Sequence, residues 1–131
     1  MIVVDASAVV ELLIGGPAAS AVAARIGAGD EALHAPHLLD LEVAQVLRRF
    51  ALAGALDDRR GHEALEDLAD LDLARHPHDL FLRRIWSLRQ RVTAYDAVYL
   101  ALAEALPAPL VTLDRRLARA GGHRARIELL G

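Results

Sequence analysis

The sequence predicts an α/β fold, with a central parallel sheet of about four to five strands and helices on both faces. Three observations carry that expectation. Short apolar, strand-like runs alternate with stretches of helical apolar spacing along the whole chain. The first run, Ile2-Val3-Val4, is β-branched throughout, as a strand buried on both faces must be. Glycines and prolines close most of the segments, which separates strand from helix from strand.

Taken in order, Met1–Asp5 reads as a central strand and Ser7–Ile14 as a helix stopped by Gly15-Gly16. Ala18–Ile26 follows as a second helix, with Pro17 in its opening turn and Gly27 and Gly29 at its end. Ala32–Ala35 is the second strand, closed by Pro36. His37–Ala53 is a long helix whose Leu38, Leu41, Ala44, Val46 and Leu47 keep helical spacing, and Gly54 ends it. Asp57–Leu71 opens on two acids that suit the positive end of a helix. Asp72–Arg75 reads as a short strand and Asp79–Arg91 as an Arg-rich amphipathic helix carrying Phe81 and Trp86 on its apolar face. Thr93 caps the helix Ala94–Leu106, which the Pro107/Pro109 pair ends. Leu110–Thr112 is a strand, Asp114–Ala120 a helix and Arg126–Leu129 the last strand.

Length and composition narrow the function. At 131 residues, 54% hydrophobic and 25% charged, the chain is expected to be one domain with a real core, residues 1–131. It has no cysteine, which excludes disulfides, thiolate zinc sites and thiol nucleophiles. It has no lysine either, since its 15 basic residues are all arginine, which excludes a Walker A phosphate loop and a Schiff-base enzyme. A net charge of −3 points to no partner by itself. No basic leader precedes the first apolar run, and no stretch approaches the roughly 18 uninterrupted apolar residues of a membrane span, so a cytoplasmic protein with no membrane association is expected.

In a parallel sheet the functional crevice lies beyond the carboxyl ends of the strands. Two strands run straight into acids there: Ile2-Val3-Val4 into Asp5, and Leu110-Val111-Thr112 into Leu113-Asp114. Asp96 falls in the first turn of its helix, and Glu42 near the start of the long one. Each acid alone has a plain explanation, because Asp is a favoured helix cap and Thr93-x-x-Asp96 fits a capping box. Four carboxylates in one cleft are another matter. They repel, their pKa values rise, and only a cation relieves the cost. Hard oxygen donors without cysteine point to Mg2+ or Mn2+.

The residues around these acids carry a family likeness. Ile2-Val3-Val4-Asp5-Ala6-Ser7-Ala8, Ala35-Pro36-His37-Leu38-Leu39-Asp40-Leu41-Glu42-Val43, Thr93-Ala94-Tyr95-Asp96-Ala97-Val98-Tyr99-Leu100-Ala101-Leu102-Ala103 and Leu110-Val111-Thr112-Leu113-Asp114-Arg115-Arg116-Leu117 stand in order across nearly the whole chain. In these motifs the chain resembles the PIN-domain ribonucleases, and among them the VapC toxins of toxin–antitoxin pairs. The resemblance implies a PIN-like α/β domain that hydrolyses RNA phosphodiester bonds with Mg2+ or Mn2+. It places the family's metal-binding, catalytic acids on Asp5, Glu42, Asp96 and Asp114, and its supporting hydroxyls on Ser7 and Thr112. Asp5 is then central, with one ion or two at roughly 3.5–4 Å spacing. The two hydroxyls equally suit helix and turn capping.

Two arginine clusters flank the acids, Arg83, Arg84, Arg89 and Arg91 before Asp96, and Arg115, Arg116 and Arg119 after Asp114. Arg115 and Arg116 are the residues expected to touch RNA, with a solvated amphipathic face as the alternative. Asp40 reads as a further acid at the surface or behind the site, and the histidines, including His76-Pro77-His78 and the His34/His37 pair, as surface or capping residues. Phe81 and Trp86 are expected in the core or an interface rather than stacked on bases. Apolar residues in Ala8–Ile14 and Ala44–Leu56 exceed one buried stripe, which predicts exposed apolar interfaces. The resemblance supplies a homodimer and a VapB-type antitoxin that reaches a groove near the first helices and the long one. A PIN nuclease of RNA processing without an antitoxin, and a non-catalytic binding domain whose acids only cap helices, remain as alternatives. A haloacid-dehalogenase-like phosphatase is disfavoured, because Ser7 stands where its second acid belongs.

Overall fold

The computed structural model describes residues 1–131. Five strands, β1 (Ile2–Val4), β2 (Leu33–Pro36), β3 (Leu73–His76), β4 (Leu110–Thr112) and β5 (Ile127–Leu129), form one sheet in the order β3-β2-β1-β4-β5. Every neighbouring pair is parallel. β1 is central, with Val3 level with His34 on one side and Leu110 on the other. Ile2, Val3 and Val4 are all fully buried, which is why their β-branched side chains suit this position.

Seven α-helices link the strands: α1 (Ala6–Ile14), α2 (Ala19–Gly27), α3 (Leu38–Leu52), α4 (Asp58–Asp70), α5 (Leu82–Ser87), α6 (Ala94–Ala105) and α7 (Arg115–Ala118). The first four pack on one another, and α5 packs on α6. α6 carries an unbroken buried run, Ala97–Ala103, that lies against β1, β2 and β4. Its small alanines let the helix approach the sheet closely, while Leu100 and Leu102 fill the core. α1 ends where Gly15 adopts φ +68°, a left-handed turn that glycine reaches without strain.

The order of the strands matters most for function. After β1 the chain winds outward through β2 and β3, then crosses back to place β4 on the other side of β1. The winding therefore reverses between β1 and β4, and the crevice of such a sheet opens at their carboxyl ends.

Two predicted helices are shorter in the structure. The segment 79–91 is a 3-10 turn at Asp79–Phe81, then the six-residue α5, then irregular chain. Ser87 Oγ donates to Arg84 O at 2.6 Å, Arg89 Nη1 donates to Trp86 O at 3.1 Å, and the Leu88 and Arg89 amides turn back to residues three positions earlier. Such bonds compete with helix continuation. Trp86 consequently stays out of the core at 68% exposure, with the Arg89 guanidinium 4.8 Å above its ring, whereas Phe81 packs partly against the core. The predicted helix 114–120 is only the four residues of α7, ahead of Gly121-Gly122. α1 is also not the exposed apolar surface expected of it, since Ala8, Val9, Val10 and Leu13 are buried. No single helix is long and apolar enough to cross a membrane.

Candidate active site

Asp5 follows β1 directly and is 6% exposed. Its Oδ1 accepts the Ser7 hydroxyl at 2.7 Å and the Ala8 amide at 3.3 Å, and its Oδ2 accepts the Thr112 hydroxyl at 2.7 Å. The Ser7 and Thr112 oxygens are themselves 3.3 Å apart. Each is fixed by the chain after β4: the Leu113 amide donates to Ser7 Oγ at 3.0 Å and the Asp114 amide to Thr112 Oγ1 at 2.9 Å. Asp5 thus caps α1, as its position suggests, but it is also pinned from β4, which capping does not require.

The remaining acids arrive from other elements. Asp114 caps α7, its Oδ1 accepting the amides of Arg116 at 2.9 Å and Leu117 at 3.3 Å. Glu42, on the second turn of α3, accepts the Tyr99 hydroxyl at 2.6 Å. Asp96 is capped rather than capping: its amide donates to Thr93 Oγ1 at 3.1 Å, and its carboxylate turns instead towards Arg116. Capping therefore accounts for two of the four carboxylates and leaves Glu42 and Asp96 without a capping role.

Three of the acids feel the charge of a neighbouring acid. Burial first, then the neighbouring Asp114 charge, raises the Asp5 pKa against the hydrogen bonds that lower it. Burial raises Glu42, helped by the charges of Asp5 and Asp96 and opposed by Tyr99. Burial raises Asp96, with Asp114 adding to the rise and Arg116 opposing it. Tyr99 is pushed far above its ordinary value by burial and by the Glu42 carboxylate. This is the signature of like charges confined to one poorly solvated pocket.

The donor set is all oxygen, which suits a hard divalent cation, and the mutual repulsion is what such an ion would relieve. No three of the acidic groups close around a common centre in this arrangement. The reason is visible in the contacts: Asp5 is held by two hydroxyls, Glu42 by Tyr99, and Asp96 and Asp114 by a shared arginine.

Beside the acids lies an open cleft of about 950 Å³ whose walls include Arg89, Arg91, Arg115, Arg116 and Arg119, with Asp96 at its edge. The two predicted arginine clusters meet there, except that Arg84 turns away to Glu104 and Arg83 does not line the cleft. Asp40 is no part of the acid pocket. Arg75 grips it with Nε at 2.7 Å and Nη2 at 2.9 Å. His34 and His76 face each other from adjacent strands, ring nitrogens 2.8 Å apart, rather than serving as surface or capping residues. Tyr99 escaped the sequence reading; the one available signal was a hydroxyl within the otherwise apolar run Ala97–Ala103, since a buried tyrosine hydroxyl needs a partner.

A doubly wound parallel sheet with acids at its reversal point defines a class, and comparison gives it a name: the PIN-domain family model matches residues 2–123, and the chain belongs to that family. Within it the likeness is to the VapC ribonucleases. Ribonuclease VapC12 of Mycobacterium tuberculosis is 42% identical over 130 residues, covering 99% of each chain. Two solved structures share the fold. Mycobacterium tuberculosis VapC20, a sarcin–ricin loop cleaving toxin, superposes with a TM-score of 0.70 at 18% identity, covering 96% of this chain and 99% of its own. A toxin–antitoxin complex from Klebsiella pneumoniae gives 0.64 at 18% identity, covering 91% and 92%.

Proposed function

We propose that the chain is a Mg2+- or Mn2+-dependent endoribonuclease, the toxin of a VapBC-type pair, held inactive by its cognate antitoxin. The observation that carries the reading is Asp5, buried at the end of the central strand and held by Ser7 and Thr112, with the Asp114 charge acting on it, its own charge acting on Glu42, and Asp96 beside Glu42 and Asp114. These four acids are the candidate cation ligands, with Asp5 central. When bound, a divalent ion there supplies the positive charge that acidifies a water molecule and neutralises the scissile phosphate.

The chain's own groups do the rest. Ser7 and Thr112 fix the orientation of Asp5, so the carboxylate does not have to be ordered when substrate arrives. Tyr99 orients Glu42. The cleft arginines, Arg115 and Arg116 among them, receive RNA phosphates next to the acids, which answers the unfavourable net charge of −3.

Two apolar surfaces serve the partners. A groove of about 290 Å³ between α3, α5 and α6, lined by Leu38, Leu41, Leu82, Ile85, Tyr95 and Val98, is the homodimer surface. Leu41 is 71% exposed and Tyr95 63% exposed, which favours burial against a second copy. A shallower groove between α3 and α4, about 230 Å³ with Leu47, Ala51 and Leu56 on its walls, is the place for an antitoxin segment.

The test is an RNA cleavage assay on the chain purified from its complex with the neighbouring gene's product. Cleavage is expected with Mg2+ and lost with EDTA. Asp96→Asn, nearly isosteric, is expected to abolish cleavage while leaving thermal unfolding close to wild type. If the variant cuts RNA as well as wild type, the assignment of the acids is wrong.

A further inference from the structure

Arg116 makes an unusual pair of contacts. Its Nη2 lies 3.4 Å from Asp96 Oδ2 and 3.6 Å from Asp114 Oδ2, so a single nitrogen spans two of the pocket acids. The other well-formed arginine forks behave differently. Arg75 meets Asp40 through two nitrogens at 2.7 and 2.9 Å, and Arg84 meets Glu104 through two nitrogens at 2.8 and 2.9 Å. Those are two-point pairs with matched geometry. Arg116 uses one nitrogen, at longer range, from a side chain that is 76% exposed, while Asp96 is 20% exposed. Its charge stands at the mouth of the pocket, not on its floor.

The backbone beneath it is anchored independently. The Arg116 amide donates to Asp114 Oδ1 at 2.9 Å, so α7 keeps its start whichever way the side chain points. Its guanidinium opposes the rise in the Asp96 pKa. Arg116 is also a wall residue of the arginine-lined cleft. Arg115, one residue earlier and exposed, pairs with neither carboxylate.

We propose that Arg116 is the pocket's resident counter-cation: it neutralises Asp96 and Asp114 while no metal ion is bound, and has to leave both when a divalent cation enters. The inference rests on the reading of the acids as a cation site. Competition follows from charge and space, because the oxygens that Arg116 occupies are those a cation needs. The exchange is easy because exposed, single-nitrogen ion pairs are weak and solvent-screened. Once displaced, the guanidinium is left on the wall of the cleft, beside Arg89, Arg91, Arg115 and Arg119. Arg116 is in this sense a positioning residue, coupling occupancy of the pocket to the charge of the cleft.

The test reads Mn2+ binding by electron paramagnetic resonance, with no RNA present, in wild type, R116Q, R115Q and D96N. R116Q is expected to bind Mn2+ about two- to fivefold more tightly than wild type, as loss of a weak competing ion pair requires. R115Q removes the same charge from the next residue without freeing a carboxylate, and is expected to gain less than R116Q. D96N is expected to bind more weakly than wild type. The proposal is overturned if R116Q binds no more tightly than wild type, or if R115Q gains as much, since a general field effect then explains the change. Absence of Mn2+ binding by wild type would instead remove the cation site, and the role of Arg116 with it. Both arginine side chains are exposed, and circular dichroism confirms that their variants are folded.

Discussion

The Thr112 hydroxyl, wholly buried at the end of β4, donates to Asp5 Oδ2 at 2.7 Å and joins residues 107 positions apart. It also accepts the Asp114 amide, so one oxygen ties the central strand, its neighbour and a second acid together. Thr112→Val keeps the shape and removes both bonds. The variant is expected to lose about 1–3 kcal/mol of stability, the cost of leaving a buried polar group without its partner. Urea unfolding measures this, and Thr112→Ser should recover most of the loss. An unchanged midpoint for the valine variant would mean that Ser7 alone holds Asp5.

The acid that the pocket excludes gives a complementary prediction. Asp40 and Arg75 form a two-point pair at the sheet edge, 40% and 27% exposed. A double-mutant cycle on D40N and R75Q should return a coupling of about 1 kcal/mol or less. RNA cleavage by D40N should match wild type, and a drop beyond tenfold would add Asp40 to the catalytic acids.

Acid stability turns on Glu104. Arg84 Nε and Nη2 and the Arg124 amide all donate to its carboxylate, which is 8% exposed, and Arg84 above all holds its pKa down at about 2, against an ordinary 4.5. A carboxylate depressed on folding contributes stability above its unfolded pKa and loses it as pH falls through the folded one. Wild type should therefore lose on the order of 1–3 kcal/mol from this group between pH 4.5 and 2. Glu104→Gln should be less stable at pH 7 and show a flatter profile across that window. Parallel profiles for the two proteins would sink the assignment.

The cleft wall depends on a glycine. Gly122 has φ +83°, and a Cβ there would lie 2.5 Å from Arg91 Cδ. Gly122→Ala is expected to cost about 1–2 kcal/mol for the left-handed backbone and to push Arg91 off its seat. Fluorescence anisotropy should show weaker RNA binding for this variant, as for Arg91→Ala. Tight binding by both would mean that RNA runs elsewhere.

Self-association is expected to fail in Leu41→Asp, which puts a charge into the groove between α3, α5 and α6. Light scattering should report a dimer for wild type and a monomer for the variant. A dimer in both would move the interface off this surface.

Much of this arrangement could be read from the chain. Asp5 and Asp114 were legible because β1 and β4 are uniformly apolar and each leads within two residues to an acid, which places the acid at a carboxyl edge. Glu42 and Asp96 could be placed near helix starts, and so towards the same edge, but nothing in helical spacing says which helix start faces which strand, and it was the family likeness that named them as ligands. Three features stayed hidden for physical reasons. The helix expected over 79–91 stops at Ser87, where the Leu88 and Arg89 amides turn back to residues three positions earlier, a local choice that apolar periodicity does not register. The Tyr99–Glu42 bond links residues 57 positions apart. The His34–His76 pair depends on strand register, which decides that the two rings meet across β2 and β3.

The position of β1 at the middle of the sheet has a consequence for how the protein is made. Its right-hand neighbour β4 is the last but one strand to be translated, so a ribosome must add more than a hundred residues after Asp5 before Thr112 exists to hold it. A half-synthesised polypeptide has no assembled pocket. The side chains that meet at the carboxyl edge of β1 are therefore gathered only when synthesis is nearly finished.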